Sequence, residues 1–348
     1  MDNSFFLRSK HDHVEIKRFQ ICTWEFNNNS SLVEFGVEIN SSSLQKTKKL
    51  SLESYVPWLE KGCKVKDFYD KLKSSDNSRF IFNDSVSNTV SFDGGQNTQG
   101  VMHEFSGRNK LCILPVKITP NFENHKIQLI INLSDYKQKA DPDTNVYIRI
   151  SAEPKIETIS TKKKGIGKST IIYDIKLNEE RNIPSFLIND FKDSIPCKIE
   201  TCFCFHIIPN SYNITFLESE HLKNVRTLEF EPFKNYLEDK RLKKDELIVV
   251  FSKKNKSESY SFFSIYTKER IGASQFAIAI LINIVCGFLF ILPSIRTQIP
   301  VETGFINMIH ILPLELYLAL FLTSILLLYF FLPLIILGLK RLKLQIIS

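Results

Sequence analysis

The sequence predicts a mainly β region of antiparallel sandwich or barrel character, with few short helices, followed by a C-terminal two-helix transmembrane hairpin. Three observations carry that expectation. Twelve short runs rich in β-branched and aromatic residues are spread over residues 1–270. Ile271–Leu292 is a 22-residue stretch without a charge. Leu316–Leu339 is a second apolar stretch, with 17 Leu, Ile or Phe among its 24 residues. The mean hydropathy of −0.08 hides this division by averaging a polar region with two apolar ones.

From the N-terminus, HVEIKRFQICTWEF, LVEFGVEI and NTVSF alternate apolar and polar side chains over much of their length, the period-two mark of half-buried strands. LCILPVKI, KIQLIINL, NVYIRISA, TIIYDIKL, KIETCFCFHII, NITFL, RTLEFEPF, ELIVVF and SYSFFSIYT follow. Clusters of Asn, Asp, Ser, Gly and Lys separate them and read as turns. Helical signals are few. Val56–Lys73 has room for one or two short helices, and Pro184–Lys192 and Pro232–Lys244 each open on a proline, which suits a first helical position. Short strands at this spacing favour an antiparallel sandwich over alternating βα units. The polar stretch Asp135–Asn145 is a candidate boundary between lobes 1–135 and 146–267, and one large sandwich with decorated loops fits the same pattern.

The membrane reading rests on length and flanking charge. At 1.5 Å per residue, the helix over 271–292 would reach about 33 Å, slightly more than the hydrocarbon core. Lys253, Lys254, Lys256, Lys268 and Arg270 precede this segment; Lys340, Arg341 and Lys343 follow the second. The loop 293–315 carries only Arg296 against Glu302 and Glu315. The positive-inside bias then places the N- and C-termini in the cytoplasm, the 293–315 loop outside and the 340–348 tail inside. The N-terminal residues contain no continuous apolar run of the secretory kind. The flanking lysines and arginines are expected to lie against anionic headgroups of the bilayer. In the first span Ala273 and Ala277 stand four apart, Gly287 follows, and Asn283 sits near the middle. Small residues let helices approach closely, and an asparagine in hydrocarbon needs a hydrogen-bonding partner. These features predict a homo-oligomer assembled through the first span, with a plain two-pass anchor as the alternative.

The search for chemistry is mostly empty. A net charge of +7 is too mild for a dedicated nucleic-acid binder. KKKGIGKST (Lys162–Thr170) ends like a phosphate-binding loop, but position 162 is lysine and a strand pattern follows, so it reads as a basic hairpin turn. Six of the seven cysteines fall in the region expected to be cytosolic, where disulfides are rare, and Cys286 falls in the first span. Cys202, Cys204 and His206 share one strand face at a spacing unlike a zinc knuckle, so no metal is expected. His103-Glu104 lacks the second histidine of a metalloprotease helix, and no nucleophile motif occurs. No cofactor is expected, nor an enzyme. One segment, Phe92–Lys110, concentrates four of the chain's twelve glycines. Its Asp93, His103, Arg108 and Lys110 are the candidate ligand-binding residues, the last two suited to an anion.

The layout is similar to that of two-pass effectors of bacterial antiviral systems, in which a soluble sensing module is joined to a short membrane hairpin. The resemblance is one of layout and shares no motif. It implies a sensor-effector: a cytosolic β-rich domain binds a ligand or protein, and the hairpin assembles or perturbs the bilayer. The alternative is a membrane scaffold or receptor whose anchor is inert.

Overall fold

The computed structural model describes residues 3–298 except 11–12, 28–29, 46, 93–98, 156–158, 166, 219, 245–246, 256 and 270–272, together with 317, 321 and 324. The chain opens with strands β1 (Ser4–Ser9), β2 (Glu15–Glu25), β3 (Ser31–Ile39), β4 (Lys49–Tyr55) and β5 (Lys64–Asp67). Helices α1 (Tyr69–Leu72) and α2 (Ser75–Phe82) lead into β6 (Val86–Ser91), β7 (Val101–Phe105), β8 (Leu111–Ile113), β9 (Val116–Asn121) and β10 (Lys126–Asn132). After α3 (Ser134–Lys139) come β11 (Asn145–Glu153), β12 (Thr161–Lys164), β13 (Lys168–Leu177) and α4 (Ile188–Lys192). The short β14 (Ile195–Pro196) and β15 (Lys198–Ile199) precede β16 (Thr201–Pro209), β17 (Asn213–Leu217) and β18 (Leu222–Thr227). Helix α5 (Phe230–Leu237), β19 (Leu247–Asn255), β20 (Tyr260–Glu269) and α6 (Ala273–Gln298) complete the order.

Residues 1–164 and 169–268 form one compact unit, and its strands make two sheets. The first runs β17–β20–β13–β1–β4–β10–β9, with β12 beside β13 and β14 beside β1. The second and larger runs β18–β19–β16–β2–β3–β11–β8–β7–β6, with β15 beside β2 and β5 beside β11. Strands from either side of 135–145 share this second sheet, since β11 pairs with β3 and β16 with β2. The expected antiparallel pairing needs correction, because both sheets are mixed. Parallel pairs occur at β1–β13, β2–β16, β2–β15 and β8–β11. Each joins strands that are not neighbours in the chain, so no hairpin turn announces the pairing. The basic GIGK segment is a hairpin turn, with Thr161 opposite Ile172 and the Gly165 N–H donating to the Lys168 carbonyl at 2.8 Å.

Alternation decides which face each side chain takes. Phe19 and Ile21 of β2, Val33, Phe35 and Val37 of β3, and Ile148 and Ile150 of β11 turn inward. There they meet Phe5 and Leu7 of β1, Leu50 and Leu52 of β4, and Leu129 and Ile131 of β10, so both sheets contribute to one sandwich core. Burying each such side chain is worth about 1.5–3 kcal/mol, and this core is the main source of stability. The outer face of the larger sheet is partly roofed by helices. Phe82 of α2 packs on Tyr147 at 4.8 Å and Phe105 at 5.4 Å, while Phe233 of α5 packs on Trp24 at 5.7 Å.

The second unit contains α6, 26 residues long, with side chains described over 276–291. Phe276, Ile282, Leu289 and Phe290 are exposed on it, and Ala277 is buried. Among the described residues no helix is long and apolar enough to cross a membrane. The expected transmembrane hairpin is therefore not found there. The second span, 316–339, lies outside the described residues apart from helical positions 317, 321 and 324.

Candidate functional site

Strand register lines up the outer face of the larger sheet into rows. Asn224, Phe251, Phe205, Cys22 and Glu34 stand opposite one another across β18, β19, β16, β2 and β3. Beside that row run Lys253, Phe203, Gln20, Gly36 and Arg149, the last on β11. On its other side run Arg226, Val249, Ile207 and Trp24. A pocket of about 390 Å³ opens over these rows, closed on its far side by Phe80, Ile81 and Phe82 of α2 and Phe233 of α5.

Half of the floor is aromatic. Phe205 and Phe251 lie 4.6 Å apart with 4° between their planes, and Phe203 continues the stack on Phe251 at 5.7 Å and 16°. All three rings are half-buried, so they present apolar surface to whatever enters.

The other half is charged. The Arg149 guanidinium donates from Nε to Glu34 Oε2 at 2.6 Å, from Nη1 to Gln20 Oε1 at 3.0 Å and Tyr147 Oη at 2.9 Å, and from Nη2 to Cys22 Sγ at 3.0 Å. Glu34 also accepts from Trp24 Nε1 at 2.8 Å and the Tyr236 hydroxyl at 2.7 Å. Gly36 makes this convergence possible, because a Cβ there would overlap Tyr147 Oη and Gln20 Oε1. Burial pushes the Cys22 thiol up to about 11, against the pull of Arg149, so it is a neutral thiol at physiological pH and no ready nucleophile.

A second carboxylate, Glu38, is shared. Arg108 Nη2 donates to its Oε2 at 2.8 Å, Arg18 Nε stands 3.6 Å from the same oxygen, and Asn145 Nδ2 donates to Oε1 at 2.8 Å. The Arg108 guanidinium lies over the rings of Phe82 at 4.9 Å and Phe105 at 5.2 Å. Burial holds it below the usual arginine value, with Glu38 opposing. Among the described residues the pocket is lined by five cations, Arg18, Arg108, Arg149, Lys223 and Arg226, and by no carboxylate. Among the described residues Glu34, Glu38 and Glu229 are the carboxylates paired with them, so five against three leaves a local excess of +2 there.

Of the residues singled out in Phe92–Lys110, only Arg108 lines this pocket. His103 is buried, with Nε2 donating to the Leu72 carbonyl and Nδ1 accepting from Thr89 Oγ1, both at 2.9 Å. The first bond ties α1 to β7 and the second ties β6 to β7, and burial lowers the His103 pKa. Lys110 is exposed and paired with Glu104 at 2.8 Å and Asp141 at 3.3 Å. Asp93 lies outside the described residues.

On α6 Ala277 is buried, while Asn283 and Gly287 are exposed. The side chain of Ala273 lies outside the described part. Among the cations expected to flank a membrane segment, Lys254 is paired with Glu218 at 2.7 Å, Lys253 lies over the Phe203 ring at 5.6 Å, and Lys268 is half-buried. Lys256, Arg270, Lys340, Arg341 and Lys343 are outside the described residues. Cys202, Cys204 and His206 face the core, where His206 bonds Thr23 Oγ1 at 2.8 Å. Among the described residues no group of three potential ligands is placed to hold a metal ion.

Sequence reasoning missed Arg18, Arg149, Arg226 and the phenylalanine stack. One signal was available: Phe203 and Phe205 alternate with Cys202 and Cys204, which assigns two aromatics to the opposite face. No protein-family model matches the chain. No curated protein matches it in sequence either.

Proposed function

We propose that the protein is a membrane-bound sensor-effector. Its β-rich module receives a small anionic ligand in the outer-face pocket, and its apolar C-terminal region responds by assembling in or perturbing the bilayer. The observation that carries the reading is the pocket's composition: five cations and no carboxylate among the described residues of the lining. A cleft of one sign attracts ligands of the other and raises their local concentration. Supporting the membrane half are the two uncharged stretches, 271–292 and 316–339, with basic residues before the first and after the second. On this reading the protein has two spans, both termini in the cytoplasm, anionic headgroups against its flanking cations, and a homo-oligomeric first span seated through Ala277 and Asn283.

The test is overexpression in a bacterium carrying a membrane-potential dye. Full-length protein is expected to depolarise the cells, and residues 1–267 are not. Asn283→Leu should abolish the depolarisation while leaving the protein in the membrane fraction. A full-length protein that leaves the potential and growth untouched would sink the effector reading and favour an inert anchor.

A further inference from the structure

The geometry points to a nucleotide-sized ligand, a phosphorylated planar heteroaromatic molecule whose ring stacks on the free face of Phe205 and whose phosphate meets the arginine end. This deepens the anion-sensing reading and rests on it.

The phenylalanine stack gives the ring its seat. Phe205 and Phe251 are opposite each other in register, and a 4.6 Å separation with 4° between planes sets them face to face along the inter-strand direction. The second face of Phe205 is therefore turned toward β2, where its neighbour in register is Cys22. A thiol fills far less than a phenyl ring, so the row drops in height there and a planar ring can continue the stack. Every nucleobase has a π-face, and stacking on aromatic side chains is their sequence-tolerant mode of binding.

The cations supply the phosphate end. Arg18 and Arg108 share one carboxylate, so Glu38 neutralises one guanidinium and leaves the other's charge uncompensated. Guanidinium forks match phosphate oxygens two at a time. A phosphate monoester carries about −1.5 to −2 at neutral pH, which matches the local excess of +2. Inorganic phosphate alone would leave the phenyl rings without a role, and an apolar ligand would leave the cations without one. The volume, about 390 Å³, is at the low end of the roughly 300–1,000 Å³ common for small-molecule sites. Exposed amides of Asn83 and Asn224 stand at the rim, suited to hydrogen-bond the edge of a base.

The test uses the purified full chain in detergent and calorimetric titration with the four ribonucleoside 5′-monophosphates, the matching nucleosides, ribose 5-phosphate and inorganic phosphate. At least one nucleotide is expected to bind tenfold or more tightly than both its nucleoside and ribose 5-phosphate. Phe205→Leu should weaken that nucleotide about tenfold and leave ribose 5-phosphate unchanged. Arg18→Gln, at a partly exposed position, should weaken both phosphate compounds and spare the nucleoside. Ribose 5-phosphate binding as tightly as every nucleotide, or Phe205→Leu weakening both compounds equally, overturns the ring seat and leaves the anion pocket standing. Failure of all the phosphate compounds to bind overturns the anion pocket as well.

Discussion

The two faces of the larger sheet come from the same strands and accommodate buried polarity in opposite ways. Inward, buried polarity is sealed in the core: Glu25 of β2 is 1% exposed, pairs with Lys162 and accepts from Ser31, Ser160 and Tyr173. His206 is 1% exposed, hydrogen-bonds Thr23 and stacks on Tyr173 at 4.3 Å, and burial drives its pKa down to about 3. Outward, a charged pair borders the open pocket: Glu34 and Arg149 have side chains 0% and 4% exposed, and Arg149 lines the pocket. Removing two charges from water costs about as much as their attraction returns, and apolar residues of similar volume often serve stability as well or better. Stability alone therefore does not explain the charged pair on the outer face. A buried charged pair that borders an open pocket rich in cations is the mark of a surface shaped for a ligand.

Breaking the buried pair gives the largest expected effect. Glu34→Gln strands Arg149 without a counter-charge and should lower stability by about 3–5 kcal/mol, read as a fall in the urea midpoint. Replacing both partners, Glu34→Leu with Arg149→Met, should recover most of that loss. Equal instability of the single and double variants would show that packing, and not stranded charge, sets the cost on this face.

A smaller effect is expected at the seam between the sheets. Asp67 ends β5 beside β11 and accepts from the Tyr69 N–H on Oδ1 and from the N–H of Val116, the first residue of β9, on Oδ2, each at 3.0 Å. Burial pushes its carboxyl up to about 6, with the backbone donors pulling the other way. A folded-state pKa above the unfolded value near 3.9 means that the protonated form favours the fold. That contribution is complete below about pH 4 and is lost as pH rises through about 6. Two pKa units correspond to about 3 kcal/mol. Stability measured from pH 4 to pH 7 should carry this falling component in the wild type, and Asp67→Asn should remove it. An unchanged pH profile in the variant would place the charge elsewhere.

How far the sequence could lead is visible in particular residues. The strands themselves were legible, because Phe19, Ile21, Val33, Phe35, Ile148 and Ile150 repeat at the period of a pleat. The parallel pair of β2 and β16 was not, and it is what brings Phe205 beside Cys22 across 183 positions of chain. The glycine-rich segment pointed to Arg108, which does line the pocket. The same reasoning chose His103, which shares the outer face but is buried beneath α1, bonded to the Leu72 carbonyl, a placement no sequence pattern announces. Arg18 and Arg149 carry no local signal at all. Only the β2–β3–β11 order, with Gly36 between them, brings Arg149 to Gln20 on the strand that carries Arg18.

The subtlest comparison sets Arg108 against Lys110, two cations one residue apart. Lys110 is exposed and already held between Glu104 and Asp141, so its field reaches the pocket only through screened water, where the Debye length is about 8 Å at physiological salt. Arg108 has a side chain 12% exposed, lies over two phenyl rings and shares its only paired carboxylate with Arg18. Arg108→Gln lowers the pocket's excess from +2 to +1 and removes one fork, and should weaken ribose 5-phosphate about tenfold. Lys110→Gln should change neither that affinity nor its salt dependence. Equal losses in the two variants would mean that the pocket responds to the general charge of this loop and not to the guanidinium over Phe82 and Phe105. Loss in Arg108→Gln alone ties recognition to the outer face itself, through the guanidinium that lies over Phe82 and Phe105.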